Sequence, residues 1–182
     1  MDGNIDKTVL TEGEIQARVR ELGEEISADY AGRQPLLVGV LRGAILFIAD
    51  LVRAMDGPLE IDFMAVSSYG STTRSSGVVR ILKDLDQDIR ERDVLIIEDI
   101  LDTGLTLNYL IKNLRTRQPR SIEVCALLVK KGKQKVRLTP KYQGFEIPDE
   151  FVIGYGLDLN ERYRNLSYIA TLKEGVLQTE FP

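Results

Sequence analysis

The stretch Val94-Leu95-Ile96-Ile97-Glu98-Asp99-Ile100-Leu101-Asp102-Thr103-Gly104-Leu105-Thr106-Leu107 sets three carboxylates, two threonine hydroxyls and a glycine at the end of one apolar run. The run Val94–Ile97 reads as a buried strand ending in adjacent acids, and Leu105 onward as a helix. In an open α/β sheet, ligands bind where strands end and helices begin. A loop from Asp102 to Thr106 would present backbone N–H groups and hydroxyls at a helix N-terminus, which is an anion site. Phosphate is the natural occupant, and Glu98, Asp99 and Asp102 would face a polyhydroxylated or metal-bound group beside it.

Other phosphate loops do not fit these residues. A Walker A loop needs a lysine after its last glycine, and none is present; a dinucleotide fingerprint needs three glycines where this stretch has Gly104 alone. A haloacid-type phosphatase needs Asp-x-Asp-x-Thr, whereas Asp99 and Asp102 stand three apart.

The rest of the composition limits the chemistry further. There is no histidine, so Ser-His-Asp and Cys-His catalysis and His-ligated zinc are excluded. The single cysteine, Cys125, lies in the apolar run Val124–Val129 and reads as a buried, inert thiol. One cysteine allows no internal disulfide, in keeping with a reducing cytoplasm. Lys and Arg number 24 against 28 Asp and Glu, a net charge of −4 that disfavours a nucleic-acid partner. The N-terminus has no apolar segment of the signal-peptide kind. The longest apolar stretch, Leu36 to Val52, is broken by Arg42 and Asp50, so a soluble chain without a membrane partner is expected.

The elements that must carry this loop follow from periodicity. Thr11 and Glu14 form a capping box, and Ile15, Val19, Leu22, Ile26 and Tyr30 recur at helical spacing, predicting a helix over 12–31. Leu36–Leu41 is a continuous apolar run, as in a strand buried on both faces. A helix from Ala44 to about Met55 is stopped by Asp56-Gly57-Pro58. Strands are expected at Leu59–Ser67, Val78–Leu82, Asp93–Asp99, Ser121–Val129 and Phe151–Tyr155, with a helix over Leu105–Arg117. Between the first two lies a polar loop, Ser68 to Gly77, with almost nothing to bury. Strand and helix in alternation imply an α/β fold with a mostly parallel central sheet flanked by helices.

The segment Ile96–Thr106 resembles the phosphoribosyl-pyrophosphate motif of type I phosphoribosyltransferases, and its Glu-Asp and Asp-Thr-Gly pieces resemble the hypoxanthine-guanine branch of that family. The resemblance runs from about Leu36 to Leu172. It implies a single domain over 1–182, with a core at about 35–140 and a small hood formed by 1–34 and 145–182. It also implies transfer of a phosphoribosyl group from phosphoribosyl pyrophosphate to hypoxanthine or guanine, Mg²⁺ as cofactor, and a cytoplasmic homodimer or homotetramer.

Particular residues acquire roles through the resemblance. Asp102, Thr103, Gly104, Leu105 and Thr106 would hold the 5′-phosphate, and Asp102 would serve as general base at purine N7, a carboxylate near the base being the natural candidate where histidine is absent. Glu98 and Asp99 would face the ribose hydroxyls and, with Asp158, the metal. Leu41-Arg42-Gly43 resembles the pyrophosphate loop, often carrying a cis peptide at Leu-Arg; many members have Lys where Arg42 stands. Arg42, Gly43 and Arg164 would bind pyrophosphate. Lys130 would contact the purine 6-oxygen, Phe151 would stack on the base, and the Val152 backbone would meet its Watson–Crick edge. Asp158 would also reach the guanine amino group. Ser68-Tyr69-Gly70 resembles the start of a loop that closes over the site. Two rivals remain: a regulatory RNA-binding member of the same fold, which the net charge disfavours, and a transferase for another base, which Lys130 and Phe151-Val152 disfavour.

Overall fold

Thr11 starts the first long helix as its capping box requires. The Glu14 N–H donates to Thr11 Oγ1 at 3.3 Å, and the Thr11 N–H donates to Glu14 Oε2 at 2.8 Å. The computed structural model describes residues 2–68 and 79–176. Within them the order is β1 (Ile5–Leu10), α1 (Glu12–Asp29), β2 (Leu36–Leu41), α2 (Ile45–Ala54), β3 (Glu60–Ser68) and β4 (Val79–Lys83). Then follow β5 (Asp93–Leu101), α3 (Leu105–Arg115), β6 (Ser121–Lys130), β7 (Tyr142–Ile147), β8 (Val152–Ile153) and β9 (Ile169–Leu172).

Six strands make the central sheet in the order β4-β3-β2-β5-β6-β7. All neighbours are parallel except β4, which runs antiparallel to β3 at the edge. Alternate residues of the central strands divide between two cores, as the strand period of two demands. Leu37, Leu95 and Ile97 face α1 and α2, whose Ile15, Leu22, Ile26, Phe47 and Leu51 close that side. Leu36, Val38, Val94 and Ile96 face α3 through Leu107, Leu110 and Leu114. Burial on both sides is why these strands read as unbroken apolar runs.

The terminal segments build a second, antiparallel sheet, β1-β9-β8. Ile153, Leu159, Tyr163 and Leu172 pack beneath it. Helix α1 packs with α2 on the central sheet, and β7 extends that sheet. The hood strands are therefore 5–10, 152–153 and 169–172.

Several boundaries differ from the sequence reading. The strand expected to end at Asp99 continues to Leu101, pairing Ile100 with Leu128 and Leu101 with Val129. The strand expected over Phe151–Tyr155 shrinks to Val152–Ile153. Positive φ angles at Gly154 (97°), Tyr155 (48°) and Gly156 (98°) turn the chain away from extended geometry. Cys125 is buried, as its apolar surroundings require, and burial pushes its thiol well above the usual range.

Because β3, β2, β5, β6 and β7 are parallel, their carboxyl ends share one edge of the sheet. That edge carries Arg42-Gly43 after β2, Ser68 at the end of β3, Asp102–Gly104 after β5, Lys130 at the end of β6 and Pro148-Asp149 after β7.

Candidate active site

The Asp102–Thr106 loop is shaped by Gly104, which has φ +76° and precedes the first residue of α3. The left-handed conformation favours glycine, and a Cβ there would also meet the Val136 side chain at 2.9 Å. Gly104, the N-cap of α3, has no side chain to cap it, and the Leu105 N–H donates only a long bond to Thr103 Oγ1, at 3.4 Å. The first turn of a helix carries amides without intrahelical partners, and here they belong to Leu105 and Thr106, beside Thr103 and Gly104. The loop is braced from behind by Lys135, whose N–H donates to the Thr103 carbonyl at 2.9 Å.

Next to this loop stand Asp102 and Lys130. Lys130 Nζ lies 3.8 Å from Asp102 Oδ2, on a side chain only 12% exposed. Asp102 Oδ1 is buried with no hydrogen-bond partner, an acceptor without a donor. Lys130 is steered by Asp149, whose Oδ1 is 3.3 Å from Nζ, and Asp149 in turn is held by Lys133 at 2.7 Å. Asp149 joins this cluster although the sequence reading passes over it; in Pro148-Asp149-Glu150 nothing distinguishes it from an ordinary turn acid. Phe151 projects with 37% of its surface exposed, while Val152 is buried in the hood strand.

Glu98 and Asp99 are partly buried in the last part of β5, with Glu98 Oε2 itself shielded from solvent. Burial pushes the Glu98 carboxyl well above the usual carboxylate range, and the neighbouring Asp99 adds to it. Burial likewise raises Asp99 to about 6, although the N–H of Ile100 and the charge of Arg164 act against the rise. Glu98 Oε2 has no hydrogen-bond partner. An acid pair this far withdrawn from water, with one acceptor oxygen left unpaired, is one that a further cation would stabilise.

Arg42 and Gly43, expected at pyrophosphate, lie against these acids. The Leu41–Arg42 peptide is cis. A Cβ on Gly43 would fall 1.6 Å from Asp99 Oδ2, and one on Gly156 would fall 2.0 Å from the Gly43 carbonyl oxygen. The loop is thus wedged between Asp99 and the 154–157 turn, with room for backbone alone. Arg164 pairs with Asp158 at 2.9 Å and donates to the Gly156 carbonyl at 2.6 Å. Glu161 joins the cluster through one oxygen, Oε2, which lies 2.7 Å from Arg42 Nη1 and 3.1 Å from Arg164 Nη2. The Arg164 hydrogen bond, helped by Arg42, holds the Glu161 carboxyl below its usual range. The sequence reading missed Glu161, which looks like a solvated charge in a polar segment. Of the expected loop residues, Ser68 closes β3 and Tyr69 lies outside the described residues.

The donor set suits a hard divalent cation. Among the described residues no three His, Cys, Asp or Glu side chains converge into a ready-made cage. Mg²⁺ does not require one, since it keeps several waters and takes one or two carboxylates together with substrate oxygens.

A mostly parallel sheet thus carries on its carboxyl edge a Thr/Gly loop at a helix start, a partly buried acid pair and an arginine-bearing turn. The chain matches the phosphoribosyl transferase domain over residues 7–160 and belongs to the phosphoribosyltransferase family, with its type I fold. Relatives of high identity carry the name of one branch. It is 56% identical to the hypoxanthine-guanine phosphoribosyltransferase of Mycobacterium tuberculosis (strain ATCC 25618 / H37Rv), over 97% of this chain and 90% of that one. It is 51% identical to the enzyme of the same name from Bacillus subtilis (strain 168), over 98% and 99% of the two chains. The crystal structure of a hypoxanthine phosphoribosyltransferase from Staphylococcus aureus superposes with a TM-score of 0.93 at 48% identity, covering 97% of this chain and 96% of that one.

Proposed function

We propose that this chain transfers the 5-phosphoribosyl group of phosphoribosyl pyrophosphate to hypoxanthine or guanine, giving IMP or GMP and pyrophosphate in purine salvage. The names of its relatives support the reaction. The observation that carries the base preference is the pairing of Lys130 with Asp102 at 3.8 Å. A 6-oxopurine offers O6 and N7 side by side on one edge. An ammonium donates to O6 while a carboxylate accepts the N7 proton, so this pair reads that edge.

The roles follow from charge. As the bond from the anomeric carbon to pyrophosphate breaks, positive charge grows on the ribose and negative charge on the leaving group, and the enzyme must stabilise both. The amides and hydroxyls of Thr103, Gly104, Leu105 and Thr106, with Asp102 at the start of the loop, hold the 5′-phosphate. Glu98 and Asp99 lie toward the ribose hydroxyls. Arg42, the Gly43 backbone and Arg164 receive pyrophosphate. Phe151 stacks on the base, the Val152 backbone meets its Watson–Crick edge, and Asp158 faces the amino group of guanine. Asp102 accepts the N7 proton as N9 bonds to ribose. Glu98, Asp99 and Asp158 would hold Mg²⁺, which when bound neutralises charge on the diphosphate. Ser68 and Tyr69 would begin a loop that closes over the bound substrates.

A small hood formed by the terminal strands, the homodimeric or homotetrameric assembly and the cytoplasmic setting belong to the same proposal. They rest on membership in the family. No described helix is long and apolar enough to cross a membrane.

The experiment is incubation with phosphoribosyl pyrophosphate, Mg²⁺ and labelled hypoxanthine, with Asp102→Asn alongside. Positioned proton transfer contributes about 10²–10⁴-fold, so turnover should fall by that order in the variant. A loss smaller than about threefold would remove Asp102 from the base role.

A further inference from the structure

Resting on the assignment of Arg42 and Arg164 to pyrophosphate, we infer that Glu161 is a resident anion that holds both guanidinium groups until the substrate's diphosphate displaces it. One carboxylate oxygen, Oε2, accepts from Arg42 Nη1 at 2.7 Å and from Arg164 Nη2 at 3.1 Å, with Arg164 Nε at 3.4 Å. These two arginines come from separate parts of the chain, the loop after β2 and the segment before β9, and Glu161 is what joins them.

A carboxylate oxygen between two guanidiniums presents the same charge and acceptor geometry as a phosphate oxygen. The N–H groups that Glu161 holds, Arg42 Nη1 and Arg164 Nη2 and Nε, are free for pyrophosphate only once the carboxylate has let them go, and its negative charge opposes a second anion beside it. The backbone sets the carboxylate in place. Glu161 has φ +63°, flanked by Asn160 at +50°, and its N–H donates to Asp158 Oδ2 at 2.8 Å. Left-handed backbone is uncommon for a glutamate, and such strain persists where its surroundings impose it. The displaced carboxylate has somewhere to go: its side chain is 60% exposed. It also borders an open cleft of about 530 Å³ lined by Asn4, Tyr163 and Asn165.

This arrangement makes Glu161 a competitor of the ligand, so its removal should tighten binding. A residue that merely supported the fold, or that helped to bind pyrophosphate, would give the opposite sign. It also explains how two arginines are kept together in the free protein without an anion taken from solution.

The test is titration of inorganic pyrophosphate with Mg²⁺ into the full chain, comparing the native protein with Glu161→Gln, Glu161→Ala and Arg164→Gln, together with the KM for phosphoribosyl pyrophosphate. Exposed carboxylate–guanidinium pairs are individually weak, so both Glu161 variants should bind pyrophosphate about threefold to tenfold more tightly, with KM lowered in proportion. Tightening cannot come from a misfolded variant. Unchanged or weaker binding in both would overturn the inference while leaving the pyrophosphate assignment intact, provided Arg164→Gln binds more weakly. If Arg164→Gln binds as well as the native protein, the assignment itself fails and the inference falls with it.

Discussion

Gly43 and Asp99 stand so close that a methyl group on the glycine would lie 1.6 Å from the Asp99 carboxylate oxygen Oδ2. The turn after β2 therefore rests on the acid at the end of β5, and Gly156 presses on the Gly43 carbonyl from the other side. Neither contact leaves space for a side chain. Gly43→Ala must displace Asp99 or the Arg42-Gly43 backbone. A displacement of about 1 Å at a reacting centre costs roughly 10²-fold. We expect kcat/KM for phosphoribosyl pyrophosphate to drop by about that factor in a variant that still folds, as judged by circular dichroism. Activity within about twofold of native would show that the wedge is not needed.

The raised Asp99 carboxyl makes a prediction about the free protein. Its folded value, about 6, exceeds the unfolded value of about 3.9, so the folded state holds the proton more tightly. Stability from this group is therefore full at low pH and declines as pH rises from about 4 to about 6, leaving a deficit at neutrality. Asn at this position cannot ionise. With a chelator present, Asp99→Asn should have a higher Tm than native near neutral pH, and the two should converge toward about pH 4. A lower Tm for the variant at neutral pH would contradict the account. Activity should fall in the same variant, a stability gained where function needs charge.

Asp62 behaves in the opposite sense. It is 5% exposed on β3, yet its carboxylate accepts N–H groups from Phe63 at 2.7 Å and Asp86 at 2.8 Å, and lies 3.5 Å from Lys83 Nζ. Burial works to raise its carboxyl, but the Phe63 and Asp86 N–H groups and the Lys83 charge outweigh it and hold it below the usual range. The stabilisation is therefore present above the unfolded value of about 3.9 and is lost as pH falls through the lower folded value. Asp62→Ala leaves buried donors unpaired and should cost about 1–3 kcal/mol near neutral pH, read from denaturant melts. The gap between variant and native should narrow as pH drops below about 4. A gap that widened in acid would refute the assignment.

Lys130 and Asp149 predict how base binding divides from ribose binding. Hydrogen bonds to charged groups are worth about 1.5–3 kcal/mol, so Lys130→Met should raise the KM for hypoxanthine by roughly 10- to 100-fold. Asp149→Asn releases Lys130 from its 3.3 Å partner and should raise the same constant by less. Neither should move the KM for phosphoribosyl pyrophosphate. Equal shifts in both constants would mean that the pair acts on the whole site rather than on the base.

The site is readable in the sequence where function compresses it into neighbouring residues. Glu98, Asp99 and Asp102–Thr106 lie within one strand–loop–helix unit, so an apolar run followed by acids, Thr and Gly suffices to find them. The double burial of β2, β5 and β6 likewise shows as continuous apolar sequence. What the sequence hides is assembled across distance. Glu161 reaches Arg42 from the far end of the chain, and Asp149 reaches Lys130 from the next strand's exit; neither acid stands at a spacing that marks it out. Strands β1, β7 and β9 escape for a different reason. Ile5–Leu10 is mostly exposed, Tyr142–Ile147 mixes both faces, and Ile169–Leu172 is four residues long, so none carries a periodic signature. The 154–163 turns depend on positive φ at Tyr155, Asn160, Glu161 and Tyr163, residues whose types do not announce it.

The most direct test is pyrophosphate release from phosphoribosyl pyrophosphate and Mg²⁺, run in parallel with hypoxanthine, guanine, xanthine, adenine and uracil. Lys130 beside Asp102 predicts turnover with hypoxanthine and guanine, and none with adenine, whose 6-amino group would face an ammonium, or with uracil. Turnover with adenine or uracil in place of hypoxanthine and guanine would contradict the base-reading pair and require new partners for Lys130 and Phe151. No release with any base, from folded protein, would contradict the transferase reading itself.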